Sequence, residues 1–360
     1  MMPASRVDRS SCGGAELDMI DRRTLLALAA GTMAGIGPGF AQGTTLRIGY
    51  VPVIGASALF VLAGDGSTRD AGFDLKLTKF DSGPNAIQAF ASGTIDILVI
   101  GIAPVAVARA RGLDASVIAA AAVGGAAFVA GPALAKAFAE NGNDPAKAFA
   151  AFRAATGRKA KLGTLPPGGV PTVALHHWLW KVGKVERSDV EIANMGIEVV
   201  QQAMLSGAID GGTLLEPSAT LVTERDPRTK RIVNSPDMFP NIPGVVVAAS
   251  GSLLKSRPDL AERFVGLFHR ATELVRTDPA KAAPLVLAAL GGGLVAEDTI
   301  TRALTSPAVS FVNDPARIRK ATEDLLAYQV ELGDFPTAPA LDGLFDQALY
   351  ERGLRTAATR

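Results

Sequence analysis

Part of this chain comes back 114 residues later. Gln88-Ala89-Phe90-Ala91-Ser92-Gly93-Thr94-Ile95-Asp96 returns as Gln202-Ala203-Met204-Leu205-Ser206-Gly207-Ala208-Ile209-Asp210. At the same offset Arg47-Ile48-Gly49-Tyr50-Val51-Pro52 aligns with Lys161-Leu162-Gly163-Thr164-Leu165-Pro166. A period this long exceeds the roughly 20–50 residues of a solenoid unit, so it marks two similarly built α/β lobes in one polypeptide. Two lobes enclose a cleft, the common position of a small-ligand site.

The start of the chain carries an address. Arg22-Arg23-Thr24-Leu25-Leu26 opens an apolar stretch, 27–36, that runs through Gly37-Pro38 to Gly39-Phe40-Ala41. Small residues at 39 and 41 suit signal-peptidase cleavage before Gln42, so 1–41 reads as an export signal. The stretch is too short to cross about 30 Å of hydrocarbon, and Gly31, Gly35, Gly37 and Pro38 interrupt it. The arginine pair resembles a twin-arginine signal, used for export of folded proteins, with the general secretory route as the alternative. Asp8, Glu16 and Asp18 suit no signal n-region, which makes Met19 the expected start; a longer n-region is the other reading.

Arg6, Arg9, Arg22 and Arg23 balance Asp8, Glu16, Asp18 and Asp21, so the chain after residue 41 keeps the formal charge of +1. That balance gives no electrostatic case for nucleic acid or a membrane surface. The single cysteine, Cys12, lies upstream of the apolar stretch and leaves with the leader. Disulfides, a Cys-ligated zinc and a Cys nucleophile are thereby excluded from the mature chain. Its 319 residues are enough for two lobes with separate cores, and no segment among them is apolar for long enough to span a membrane. The expectation is a soluble, monomeric export product.

Local patterns give the element order. Residues 46–50 read as a strand leading into Pro52-Val53-Ile54-Gly55-Ala56-Ser57 and a helix over 58–63. Residues 73–80 alternate at period two, Asp81-Ser82-Gly83-Pro84 caps a helix through Phe90, and Gly93 closes it. A buried strand over 95–100 ends in Gly101-Ile102-Ala103-Pro104 before a helix containing 105–109. A strand over 116–122 leads to Gly124-Gly125, the first crossing between lobes. After a helix capped by Asp144-Pro145 and ended by Gly157, the plan repeats. It gives a strand over 161–164, the turn Leu165-Pro166-Pro167-Gly168-Gly169, a helix over 171–182, a strand over 190–195, a helix over 197–205 and a strand over 209–214. Glu216-Pro217 ends that strand, and the chain crosses back near Ile242-Pro243-Gly244. Lobe 1 is then 42–125 with 245–360, and lobe 2 is 126–244. Leu260, Phe264, Leu267, Phe268, Ala271, Leu274 and Val275 recur at helical spacing, which predicts C-terminal helices packed on lobe 1.

Residues 46–62, 88–96 with 101–104, 163–179 and 206–217 together resemble the periplasmic solute-binding component of an ABC importer, in the nitrate, sulfonate and taurine branch. The resemblance covers most of the mature chain and rests on motif order. It implies the type II periplasmic binding protein fold: two doubly wound α/β lobes joined by a hinge, closing on a ligand and handing it to a permease in the inner membrane. It implies no enzyme activity and no cofactor.

In open α/β sheets a ligand sits outside the carboxyl ends of the strands, so the turns above face the cleft. Helices that begin there aim unsatisfied N–H groups and partial positive charge into it. Ser57, Ser82, Gly83, Gly168, Gly169, Val170 and Thr172 are therefore candidate donors to an oxyanion, against a purely turn-forming role. Val53, Ile54, Gly55, Ile102, Ala103 and Pro166 complete the expected lining, with Leu165 and Leu215. Such a lining favours an organic sulfonate, carboxylate or heteroaromatic compound over bare nitrate. Glu216 has two readings: it holds a ligand amine, or it caps a turn and bonds between lobes.

His176 and His177 are adjacent on a helix and face different ways, so no metal site is expected. Trp178 and Trp180 read as packing residues. The cluster Arg225, Arg228, Lys230 and Arg231 reads as a solvated face, with permease docking as the other option. Enzymes of the same fold are the competing class. Those making thiamine pyrimidines depend on a cysteine-rich segment that this chain lacks, and the relatives in menaquinone synthesis are cytoplasmic. No Gly-x-Ser-x-Gly elbow or His-Glu-x-x-His motif occurs. A ligand sensor would use the same trap without transport.

Overall fold

In the computed structural model, which describes residues 44–290 and 295–358, the chain opens with β1 (Thr44–Tyr50), α1 (Ser57–Gly64), α2 (Ser67–Asp70) and β2 (Phe73–Lys79). It continues through α3 (Gly83–Ala91), β3 (Ile97–Gly101), α4 (Ile102–Ala110), β4 (Ala115–Ala120) and β5 (Ala122–Gly124). Then come β6 (Ala126–Ala130), α5 (Pro132–Glu140), α6 (Pro145–Thr156), β7 (Ala160–Thr164) and α7 (Val170–His177), extended by a π-helical turn, Trp178–Val182. The second half-repeat finishes with β8 (Val190–Asn194), α8 (Ile197–Leu205), β9 (Gly211–Leu215), α9 (Ser218–Arg225) and β10 (Lys230–Asn234). After α10 (Ser235–Met238) and β11 (Val245–Ser250) the rest is mainly helical: α11 (Gly251–Ser256), α12 (Pro258–Thr277), α13 (Pro279–Leu290) and α14 (Glu297–Leu304), then β12 (Val309–Phe311), α15 (Arg319–Glu331) and α16 (Gln347–Ala358). The leader read at 1–41 lies outside the described residues.

The 114-residue offset maps α3 onto α8 and β3 onto β9, and β1 ends where β7 ends. It also governs the sheets. One has the order β2-β1-β3-β11-β4, and the other, read from its far edge, β8-β7-β9-β6-β10. In each, the repeat strands run parallel, while one strand arriving from the other half of the chain runs antiparallel: β11 in the first and β6 in the second.

The aspartate that closes the repeated motif has the same work in both sheets. The Asp96 N–H donates to the Arg47 carbonyl of β1 at 2.8 Å, and the Asp96 Oδ2 accepts the Arg47 N–H at 2.9 Å. Asp210 does likewise with β7, accepting the Lys161 N–H at 2.8 Å. Each carboxylate also takes a guanidinium, from Arg47 and Arg158 respectively. Burial alone would raise the Asp96 carboxyl, but the hydrogen bonds and charge of Arg47 outweigh it and hold the group below the usual carboxylate range. Gly93 and Gly207, at φ +75° and +71°, end the preceding helices in the left-handed conformation that glycine adopts without strain.

Apolar side chains from both faces of the first sheet are fully buried, among them Ile97 and Val99 on one face and Leu98 and Ile100 on the other. In the second lobe Trp178 packs among Phe128, Phe138 and Phe149, with its ring 4.7 Å from that of Phe128, so it is a core residue. The expected stripe on α12 is buried against α1, α13 and α16. The C-terminal helices are not confined to that side, however. α14 lies against α9, where Glu224 accepts from Thr299 at 2.7 Å and from Arg302 at 2.5 Å. The structure differs from the sequence expectation in that the strand over 116–122 divides into β4 and β5, and in that β6, α5, α9, β10 and β11 are elements the local patterns did not give.

Candidate ligand-binding site

Three short segments join the sheets. β5 pairs antiparallel with β12, and Val123 bridges to Pro243. The Gly124 N–H donates to the Ile242 carbonyl, and the Gly244 N–H to that of Ala122, both at 2.9 Å. Gly124 is at φ +73°, and a Cβ there would stand 2.3 Å from the Ala308 carbonyl oxygen, so no other residue fits this crossing.

Directly beside these segments lies a slot of about 60 Å³ between the lobes. Four helices start at it. Ser82 and Gly83 begin α3, Gly101 and Pro104 frame the start of α4, Gly169, Val170 and Pro171 begin α7, and Ile197 begins α8. Two of these helices belong to each lobe. First-turn amides have no intrahelical acceptor, and those of Gly83, Val170 and Ile197 find none among the described residues. Each helix end carries up to about half a positive elementary charge, and no lining side chain is charged. The slot is thus electropositive through its backbone and apolar through its walls, Val51, Val53, Leu165, Leu215 and Val245. Its narrowness depends on missing side chains: a Cβ at Gly101 would lie 3.3 Å from Val170 across the cleft, and one at Gly83 would lie 2.7 Å from Pro104.

Of the residues expected here, Val53, Ser82, Gly83, Leu165, Gly169, Val170 and Leu215 line the slot, and Gly168 lines a neighbouring groove. The structure does not bring the others to it. Ile102 and Ala103 are fully buried beneath Gly101. Gly55 packs against Val245, and the Ile54 N–H donates across the lobes to the Glu216 carbonyl at 2.9 Å. The Ser57 hydroxyl donates to the Ile54 carbonyl at 2.6 Å, and that of Thr172 to the Leu165 carbonyl at 2.6 Å and the Pro166 carbonyl at 3.3 Å. These hydroxyls donate within their own turns.

Glu216 takes the second of its two readings. Its side chain is fully buried, Oε2 accepts from the Thr220 amide and hydroxyl at 3.1 and 2.8 Å, and Oε1 accepts from Arg231 at 2.6 Å and Ser306 at 2.7 Å. Both oxygens are occupied by protein groups, one of them from the C-terminal segment. Arg231, assigned from sequence to a solvated basic face, is its counter-ion. Gly101, Pro104 and Ile197 were missed. The repeat held the signal for Ile197, which stands 114 residues after Gly83. His177 places Nδ1 2.7 Å from the Met238 carbonyl, while His176 packs on Trp180, so the two rings serve different neighbours.

Two doubly wound lobes, joined by short crossing strands and meeting over helix N-termini, define the periplasmic-binding-protein fold. The chain belongs to the NMT1-like family, whose profile matches residues 40–290. A search of curated proteins by sequence returns no match. Among solved structures, the periplasmic nitrate-binding protein NrtA from Synechocystis PCC 6803 superposes with a TM-score of 0.76 at 14% identity, covering 89% of this chain and 90% of that one. The alkanesulfonate-binding protein SsuA from Xanthomonas axonopodis pv. citri, bound to MOPS, gives 0.66 at 16%, covering 84% and 98%. The periplasmic aliphatic sulphonate binding protein SsuA from Escherichia coli gives 0.62 at 17%, covering 86% and 99%. At these identities the likeness is one of fold.

Proposed function

We propose that this protein is the extracytoplasmic solute-binding subunit of an ABC importer, capturing a small organic anion between its lobes and delivering it to a membrane permease. The observation that carries this reading is the convergence of four helix N-termini, two from each lobe, on one slot without a charged side chain. A ligand held by both lobes favours the arrangement in which they meet, and it shifts the hinge by its difference in affinity for the two arrangements. The protein acts as a monomer of two lobes, 42–125 with 245–360 and 126–244, after export to the periplasm and loss of residues 1–41. It has no catalytic role. No described helix is long and apolar enough to cross a membrane, in keeping with delivery to a separate permease.

A thermal-shift screen against sulfonates, carboxylates, nitrate and neutral analogues tests this. A ligand at a hundredfold excess over its Kd adds about 2.7 kcal/mol, a rise of several degrees. Shifts confined to anions are expected; shifts with neutral or cationic compounds alone would refute anion capture.

A further inference from the structure

α15 belongs to lobe 1 yet touches both lobes. On lobe 1 it packs against α4, and the chain just beyond it is stitched to β4: the Val117 N–H donates to the Leu344 carbonyl at 2.6 Å, and the Val117 carbonyl accepts from the Asp346 N–H at 2.9 Å. Its other side meets α7 of lobe 2. There the Tyr328 ring stands edge-on to that of His177, with centroids 5.0 Å apart and planes at 84°, and lies 6.2 Å from that of Phe239. Lys181, in the π-helical turn that extends α7, places Nζ 5.8 Å from the Tyr328 ring centroid and pairs with Glu331. Tyr328 and Glu331 are one turn apart on α15, as His177 and Lys181 are on the lobe 2 helix, so the two contacts form side by side. Tyr328 is only 6% exposed, and the cover on this side comes from the other lobe. Parting the lobes here would wet the ring and break the ion pair, a cost that involves no ligand. None of these four residues lines the slot.

We infer that α15 is a strap that favours the closed arrangement of the empty protein: Tyr328 docks on His177 and Phe239, and Lys181 and Glu331 close over it. The inference rests on the hinged-capture reading. The ligand then completes a closure that the strap has already weighted, and the strap tunes affinity from outside the slot.

Pulsed double electron–electron resonance on the ligand-free protein tests it. Spin labels go on Ser92→Cys and Ser206→Cys, exposed counterparts in the repeat at the ends of α3 and α8, in a chain that also carries Cys12→Ser. With no other substitution, the labelled protein should show mainly the shorter distance. Tyr328→Ala should raise the ratio of the longer to the shorter population about tenfold, because an edge-to-face pair and a cation–π contact are lost together. Lys181→Ala, at a half-exposed residue whose loss leaves the core intact, should raise it about threefold, and a circular-dichroism melt checks that each variant folds. Two populations in the same ratio in all three proteins would overturn the strap and leave the hinge standing. A mainly longer distance before either substitution would do the same. A single distance in every protein would overturn the hinged-capture reading and the strap with it.

Discussion

Asp96 and Asp210 show how a single residue sustains the repeat. Each ties one strand to the loop before another, through a carboxylate, buried at Asp96 and partly buried at Asp210, that accepts an amide and a guanidinium. Asp96→Asn keeps the shape and loses the charge, and we expect it to lower stability by about 1–2 kcal/mol in urea titrations. Because Arg47 holds the folded-state pKa of Asp96 below its unfolded value, its contribution is complete above about pH 4, declines below that, and is gone once pH passes under the folded value. The acid limb of the wild-type stability curve should therefore be steeper than that of the variant. Glu216 is also a structural residue. Glu216→Gln leaves Arg231 without its buried counter-charge and should cost about 3 kcal/mol. Amine-bearing and amine-free ligands should lose affinity alike; selective loss of the amine-bearing ones in calorimetry would return this side chain to the binding site.

Among the elements, the helices whose first turns meet at the slot are expected, on the proposed function, to contribute more to binding than any side chain there. Gly169 sits at φ −84° and ψ 141°, a conformation open to valine, and a Cβ on it would come 3.1 Å from the Pro166 carbonyl oxygen. Gly169→Val should therefore reduce ligand affinity at least tenfold by crowding the Val170 amide, while the unfolding free energy changes by less than about 1 kcal/mol. Equal losses in both would make the turn purely structural. The repeated elements were legible because glycine, proline and aspartate punctuate them at matching positions. α5 was not, since β6 is buried on both faces and shows no alternation, and the alanine-rich run that follows hides the break at Gly131-Pro132. The site was half legible. A candidate surface made of backbone leaves few side-chain signals, and the two partners of Glu216 Oε1 stand 15 and 90 residues away, beyond the reach of local pattern.

For the whole molecule, the lobes touch mainly through apolar and backbone contacts, with a few ion pairs at the rim. Lys79 meets Glu198 across the cleft at 2.9 Å, with both side chains at least half exposed. Such a pair is worth at most about 1 kcal/mol. Lys79→Glu should weaken ligand binding no more than about fivefold, and the difference should fade in 1 M salt as charges are screened. A loss of a hundredfold would mean that the rim governs closure. The sheet order also imposes a sequence of events during synthesis. Every strand of the second sheet lies between residues 126 and 234, so that sheet can form while the ribosome is still at work. The first sheet cannot, because β11 fills the gap between β3 and β4 and is made only after the whole second lobe. Until Val245–Ser250 emerges, the N-terminal strands have two unpaired edges, the kind of surface that chaperones cover and that aggregates when left bare. The half of the protein that is translated first must be the last to finish folding.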